Sequence, residues 1–259
     1  MASAVAWRLY MANMRRICML DLEHPLCVRR QVSFCPALES GTAMVEGVRA
    51  IAVFNWGDVQ AAWASQRLAV LSTTHWPQVA AGAPAPDVLI DAILAKSNLG
   101  TRKDEAPLVI GLGPGFTAGE DCHLVIETNR GHDLGRIIAS GSAEPNTGVP
   151  GSIAGHTDDR VLRAPMAGSF DSQRAIGDSV RRNDVIGHVA GQPVTARLDG
   201  MLRGLIRPGT TVTAGLKLGD IDPRGKREHC QTISDKARAI AGAVLEGVMR
   251  SCNQPGPAR

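Results

Sequence analysis

Apolar residues at Val5, Leu9 and Ala12 share one face at helical spacing, so the chain is expected to open in a helix. The apolar run Ile17 to Leu22 then suits a short buried strand. From Val28 to Phe34 and from Met44 to Val53 polar and apolar positions alternate, which predicts strands separated by a turn at Glu39-Ser40-Gly41. Ala61 to Leu71 carries a helix and a strand. A Gly-Pro loop at 82–86 leads into DVLIDA, a short strand bounded by chain breakers. Leu108 to Leu112 is a further apolar strand that opens into glycines. At the far end Ile233, Ala237, Ile240, Val244, Val248 and Met249 form a stripe that predicts a helix from about Ser234 to Arg250. Thr232 and Asp235 resemble a capping box for it, and the tail from Asn253 to Arg259 is expected to fray.

Helices alternating with strands indicate an α/β fold. Residues 1–155 read as a Rossmann-like domain whose first strand is missing, because in that fold a strand and a glycine turn precede the first helix. On this reading the chain looks truncated at its front. The loop at 141–159, rich in Gly, Pro, Ser and Asn, marks a boundary. Beyond it the pattern repeats: Ala164 matches Ala196, Gly168 matches Gly200, Gly177 matches Gly209, Val180 matches Val212 and Gly187 matches Gly219, each pair 32 positions apart. Glycine turns and buried aliphatic positions recur together, so residues 156–225 are expected to fold as two copies of one strand unit packed into a small sandwich, followed by the helix and tail at 226–259. The arrangement resembles the biotinyl and lipoyl carrier domains, a barrel-sandwich hybrid. Those carriers present a lysine on the hairpin between their halves. This chain has Ala190-Gly191-Gln192-Pro193 there, and its one lysine between 160 and 221 is Lys217, which argues against a swinging arm and for a docking or structural module.

Composition narrows the classes. Hydrophobic residues are 44% and charged residues 20%, ordinary for a globular chain, but aromatics at 3% leave no stacking platform for bases. The net charge of +3 is spread along the chain, and neither number points to nucleic acid. No run of about 18 apolar residues occurs, and the charges of MASAVAWRLYMANMRR follow its apolar stretch, opposite to a secretory signal, so a cytoplasmic protein without a membrane partner is expected. The six cysteines lie far apart and include no C-x-x-C pair, which reads as mostly buried reduced thiols.

Candidate chemistry gathers around the glycines. Gly111, Gly113, Gly115 and Gly119 follow a strand, as in anion cradles where glycine lets backbone N–H groups approach a phosphate, and Thr117 adds a hydroxyl. The pattern is neither G-x-G-x-x-G nor a Walker loop, and Pro114 removes a donor, so a tight structural turn stands beside the phosphate or pterin-diphosphate reading. Downstream, Asp121, Cys122, His123, Glu127, Arg130, His132 and Asp133 crowd titratable groups together. Cys122 with His123 and His132 offers a soft-metal or activated-thiolate reading, against the plain alternative of a strand carrying them to opposite faces; Glu127, His132 and Asp133 offer proton transfer. At the end of DVLIDA, Asp91, Lys96 and Asn98 occupy the strand end where ligands bind in open α/β sheets, and Asp21 or Glu23 takes the place of a ribose-binding carboxylate. Asp220, Asp222, Arg224 and Asp235 are further candidates for a polar site.

Several strings together resemble one family: DAILAKSNLGT (91–101), PLVIGLGPGFTAGEDCHLVIETNRGHDLGR (107–136), GVPG (148–151), RVLRAP (160–165), GDIDPRG (219–225) and SDKARAI (234–240). They are similar to accessory proteins of the selenium-dependent molybdenum hydroxylase system. The resemblance implies maturation or cofactor handling beside a xanthine-dehydrogenase-like enzyme. Its partners would be the hydroxylase apoenzyme or cofactor-biosynthesis proteins, and its ligand molybdopterin cytosine dinucleotide or another nucleotide. In that role Gly111, Gly113 and Gly115 would cradle a diphosphate while Cys122, His123 and His132 contact the transferred group. Two other readings remain: a nucleotide-dependent oxidoreductase or hydrolase using the same loop, and a scaffold that docks the hydroxylase.

Overall fold

The computed structural model describes residues 1–253, so the tail expected to fray lies outside the described residues apart from Asn253. By its contacts the chain divides into two compact units that interleave along the sequence: Met1–Ile17, Gln78–Gly148 and Ser234 onward form one, Cys18–Pro77 and Val149–Ile233 the other. The composition break near 155 therefore separates neither unit cleanly from the other.

In the first unit, strands Val88–Asp91, Leu108–Leu112 and Leu124–Ile126 lie parallel in that order, with Ile137–Ile138 antiparallel at the edge. Leu108–Leu112 is buried along its whole length, as a near-continuous apolar run should be in a parallel sheet covered by helix. The cover comes from the chain ends. Helix Ala2–Met11 packs along helix Asp235–Cys252, and the latter reaches the sheet where Gly247 leaves room for Leu124 and Ile110. Ser234 is the N-cap of the second helix, its hydroxyl oxygen accepting Ala237 N–H at 3.3 Å, in place of the expected Thr232–Asp235 box. The buried face holds Ile240, Val244 and Val248 as the stripe predicts, but Met249 turns outward and is exposed.

In the second unit, Cys18–Asp21, Leu68–Ser72 and Val48–Val53 are parallel neighbours, with Thr42–Val45 antiparallel to the last. The single strand expected over Met44 to Val53 is thus a hairpin, because Glu46 and Gly47 both adopt positive φ and pair Val45 with Val48 across a two-residue turn. Val28 to Phe34 is not a strand: Arg30–Val32 forms a 3₁₀ turn, and the charged pair Arg29 and Arg30 bonds backbone carbonyls elsewhere in the unit. The turn expected at Glu39 to Gly41 is the short helix Ala37–Ser40, closed by Gly41 at φ 78°. In the strand Cys18–Asp21, Leu20 is exposed, so that element is less buried than its apolar run suggests. The front of the chain accordingly builds two four-stranded sheets, one in each unit, where the pattern alone suggested one domain.

The repeat is visible strand by strand. Val161–Arg163, Gly168–Asp171, Ser179–Val180 and Val185–Val189 recur 32 positions later as Gln192–Thr195, Gly200–Leu205, Thr211–Val212 and Lys217–Asp222. One sheet orders the first strand of copy one, then the fourth and second of copy two, then the third of copy one; the other sheet is the same with the copies exchanged. Each sheet thus takes two strands from each copy, and Phe170, Ile186, Leu202, Leu205, Leu218 and Ile221 fill the shared core. Each such buried side chain contributes about 1.5–3 kcal/mol that neither copy could gain alone. The molecule is a mixed α/β fold of several sheets with a C-terminal helix, and among the described residues no sheet closes into a barrel. No described helix is long and apolar enough to cross a membrane.

Candidate functional site

The glycine loop is filled by the protein itself. A Cβ on Gly111 would lie 2.5 Å from the Phe116 ring, one on Gly113 would lie 2.4 Å from Thr128 Oγ1, and one on Gly115 would lie 2.5 Å from the Ser97 backbone. Gly113 and Gly115 also take φ of 83° and 106°, open to glycine and strained for other residues. Gly113 N–H is already used, donating to Ile126 O at 2.9 Å, and Thr117 N–H donates to Asp121 Oδ2 at 2.8 Å while its hydroxyl pairs with Ser142 at 3.0 Å. These glycines serve close packing within the first unit, as the structural-turn reading expects.

Cys122 is fully buried among Val109, Phe116 and Val125, and burial pushes its thiol upward although Gly111 and Leu124 N–H groups reach the sulfur. A thiol so placed is inert as nucleophile and ligand. His123 is pinned in both directions, its backbone N–H donating to Val109 O at 2.9 Å and its Nδ1 accepting Val109 N–H at 3.0 Å. Burial, then nearby Lys103, lowers its pKa. His132 is exposed on the following loop. The three are not brought together as a metal site, and among the described residues no three His, Cys, Asp or Glu side chains converge on one.

At the neighbouring strand end, Asp91 is buried and accepts Thr101 Oγ1–H at 2.7 Å and Ile93 N–H at 3.0 Å. Asn98 folds its own loop, Oδ1 accepting Gly100 and Thr101 N–H at 2.8 Å and Nδ2 donating to Thr101 O at 2.8 Å. Both are spent on local structure. Lys96 is the one exposed residue of these three.

What the geometry does assemble is a cavity of about 380 Å³ in the first unit, beside the edge strand, lined by Glu127, Asp133, Arg136, Ser140, Ser142 and Glu144 among others. Glu127 is its floor. It is 2% exposed, and its two carboxylate oxygens accept Asn129 N–H at 2.6 Å and Glu144 N–H at 2.7 Å, so a buried polar group finds backbone donors. Asn129 Nδ2 also bonds the Glu144 carboxylate, and Arg136 reaches Asp133 Oδ1 at 3.2 Å. Arg130 turns away to clasp Asp235 with two bonds of 2.7 and 3.0 Å at the start of the C-terminal helix, where a carboxylate suits the helix dipole. Of the residues singled out in sequence, the cavity gathers Glu127 and Asp133. Arg136, Ser140, Ser142 and Glu144 escaped notice, because they lie on a loop and an edge strand with no motif spacing.

In the second unit the acidic candidates form an ion network. Asp222, wholly buried, is bridged by Arg224 with bonds of 2.8 and 2.7 Å, and Arg203 lies 3.7 Å away; burial alone would raise its pKa, but the Arg224 bonds and the neighbouring guanidinium charges hold it at about 2. Asp220 pairs with Arg160. Asp21 caps Leu22 N–H at 2.8 Å and Glu23 accepts Thr74 Oγ1–H at 3.3 Å, ordinary loop roles in place of ribose binding.

No family model matches the chain. The uncharacterized protein YqeB of Escherichia coli (strain K12) is 48% identical over 261 residues, which are 98% of this chain and 46% of that protein. The chain thus spans about half the length of the curated relative it matches. Among solved structures, a succinylglutamate desuccinylase/aspartoacylase from Rhodobacter sphaeroides is 25% identical over 24% of this chain and 21% of its own, with a TM-score of 0.22. An aspartoacylase family protein from Mesorhizobium loti is 15% identical over 33% and 27%, TM-score 0.24. The apo ectoine utilization protein EutE (DoeB) from Ruegeria pomeroyi is 21% identical over 32% and 28%, TM-score 0.23. TM-scores this low describe short shared segments and say nothing of this chain's activity.

Proposed function

We propose that this chain is a cytoplasmic accessory or maturation factor for a selenium-dependent molybdenum hydroxylase, handling the molybdopterin cofactor at the Glu127 cavity. One observation carries the reading. The longest string that resembles that family, 107–136, is the string that supplies both the buried Glu127 and the cavity wall at Asp133 and Arg136. The lining fits part of the cofactor. Three carboxylates against one arginine, itself paired with Asp133, suit the N–H donors of a pterin or cytosine edge and oppose a diphosphate. Glu127 and Glu144 would accept from such an edge, with Ser140 and Ser142 completing the rim, and the diphosphate would lie outside. No nucleophile and base are paired there, which favours binding over catalysis.

At fold level the same reading takes the first unit's sheet as Rossmann-like, and the paired four-stranded sheets as a biotinyl or lipoyl-like barrel-sandwich hybrid without its lysine. The latter unit would dock the hydroxylase apoenzyme or a cofactor-biosynthesis protein. Calorimetric titration of the purified protein with molybdopterin cytosine dinucleotide, NAD and ATP tests the proposal. Saturable binding of the first, weakened about tenfold in Glu144→Gln (about 1.4 kcal/mol), is the expected result. Binding of none of the three overturns cofactor handling and leaves the docking scaffold. Turnover of NAD or ATP without a partner would instead make the chain an oxidoreductase or hydrolase.

A further inference from the structure

Strands Cys18–Asp21, Leu68–Ser72 and Val48–Val53 of the second unit run parallel, so their carboxyl ends share one edge of the sheet. Contacts beyond the strands keep these ends together. Thr73 N–H donates to Asp21 O at 2.9 Å and Thr74 Oγ1–H to Glu23 Oε2 at 3.3 Å. The Phe54 and His75 rings meet edge to face, their centroids 5.4 Å apart. The side chains that follow the strands are apolar and uncovered: Leu22, Phe54 and Trp76 are 51%, 55% and 38% exposed. Of the chain's four Phe, four Trp and one Tyr, Phe54 and Trp76 are the two that are exposed, and they stand on the same edge. A single exposed apolar side chain needs no explanation, but several gathered on one edge mark a surface that something covers.

The charge of this edge has one sign. Residues 18–28, 53–66 and 68–77, which build it, contain no lysine or arginine, while Asp21, Glu23 and Asp58 supply carboxylates. Asp58 lies in the first turn of helix Trp56–Ala64, where its Oδ2 accepts Phe54 N–H at 3.0 Å and its own N–H goes to Asn55 Oδ1 at 2.9 Å. That helix end is thus already capped and faced by a negative charge. A nucleotide, which the carboxyl edge of a parallel sheet commonly takes, would bring its phosphates against these carboxylates with no cation from the same segments to offset them.

We propose that this edge docks a protein partner through a segment that carries lysine or arginine beside apolar side chains, an interaction separate from cofactor handling at the Glu127 cavity. Leu22, Phe54 and Trp76 cover the partner's apolar side chains, and exposed Glu23 meets a cation in the negative field of Asp21 and Asp58. The uncovered Phe54 ring suits a cation as well. Openness favours a protein surface over a small molecule, since small ligands are held in concave sites that enclose most of their surface. The apolar side chains supply the affinity, and the carboxylates select the sign of the partner and speed its approach.

Fluorescence anisotropy of the whole chain with dye-labelled peptides tests the proposal, one peptide alternating leucine and lysine, one leucine and glutamate, and one serine and lysine. The leucine–lysine peptide should bind saturably and more weakly as salt is added, and the other two should not bind. Phe54→Ser and Glu23→Lys, both at exposed positions, should each weaken that binding about tenfold, whereas Glu144→Gln in the cavity wall should leave it unchanged. Absence of saturable binding, equal binding of the leucine–glutamate peptide, or unchanged binding in either edge variant overturns the proposal. Weakening by Glu144→Gln also overturns it, by placing the peptide in the cavity. Displacement of the peptide by ATP or NAD would give the edge to a nucleotide, and a dimer that Phe54→Ser dissociates would give it to a second copy; either result overturns the partner.

Discussion

A methyl group on Gly113 would sit 2.4 Å from Thr128 Oγ1 on a backbone at φ 83°. Steric overlap and left-handed strain act together, so Gly113→Ala should cost about 3 kcal/mol, read as a lowered urea midpoint with no ligand present. A ligand-dependent loss with unchanged stability would restore the phosphate-cradle reading. Asp222 carries the pH dependence. Its folded pKa of about 2 lies below the ordinary carboxylate value, so its contribution is fully present above about pH 4 and is lost as pH falls toward 2. Urea midpoints measured from pH 5 to 2 should therefore fall for the unsubstituted chain and fall less steeply for Asp222→Asn. The substitution should also lower stability at neutral pH, since it leaves Arg203 buried without that charge partner.

Helix Asp235–Cys252 shows how two glycines in one element differ. A Cβ on Gly242 meets nothing within 4 Å, whereas one on Gly247 meets Leu124 Cδ1 at 3.0 Å and Ile110 Cδ1 at 3.4 Å. Gly242→Ala should stabilise by up to about 1 kcal/mol through helix propensity alone. Gly247→Leu should destabilise by about 2 kcal/mol, because the helix must lift from the sheet. Thermal unfolding of the two variants should move in opposite directions; equal shifts would mean that the helix does not rest on the sheet there. Gly247 is not distinguishable from Gly242 in sequence, since the helical stripe reports which face turns inward and not how closely it approaches.

Across the molecule, the repeat was the most legible feature. Gly187 and Gly219 are 32 positions apart and occupy equivalent places, their would-be Cβ atoms 2.3 Å from Asp171 O and 2.7 Å from Gly204 O. Both positions demand glycine for the same reason, backbone running close against backbone. The front of the chain was less legible. Parallel strands at 88–126 read as apolar runs, but nothing in a run says which helix will cover it, and here the cover comes from Ala2–Met11 and Asp235–Cys252. The same holds for Glu46–Gly47, whose turn divides one alternating run into two paired strands. At the candidate site, Glu127 and Asp133 stood out as a density of charge, while Arg136, Ser140, Ser142 and Glu144 join them only through the path of a loop.

Local order therefore followed from sequence alone: the apolar periods of the terminal helices, the glycines of the repeat, and the crowding of polar residues after Leu112. Side-chain period and backbone conformation depend on neighbours a few residues away, and those neighbours are written in the chain. Tertiary structure decided the rest. It packed Phe116, Thr128 and Ser97 against the loop glycines, buried Cys122 in a core, and opened the cavity over Glu127. Each of these depends on which distant groups share a few ångströms, and that is set by packing the whole unit at once.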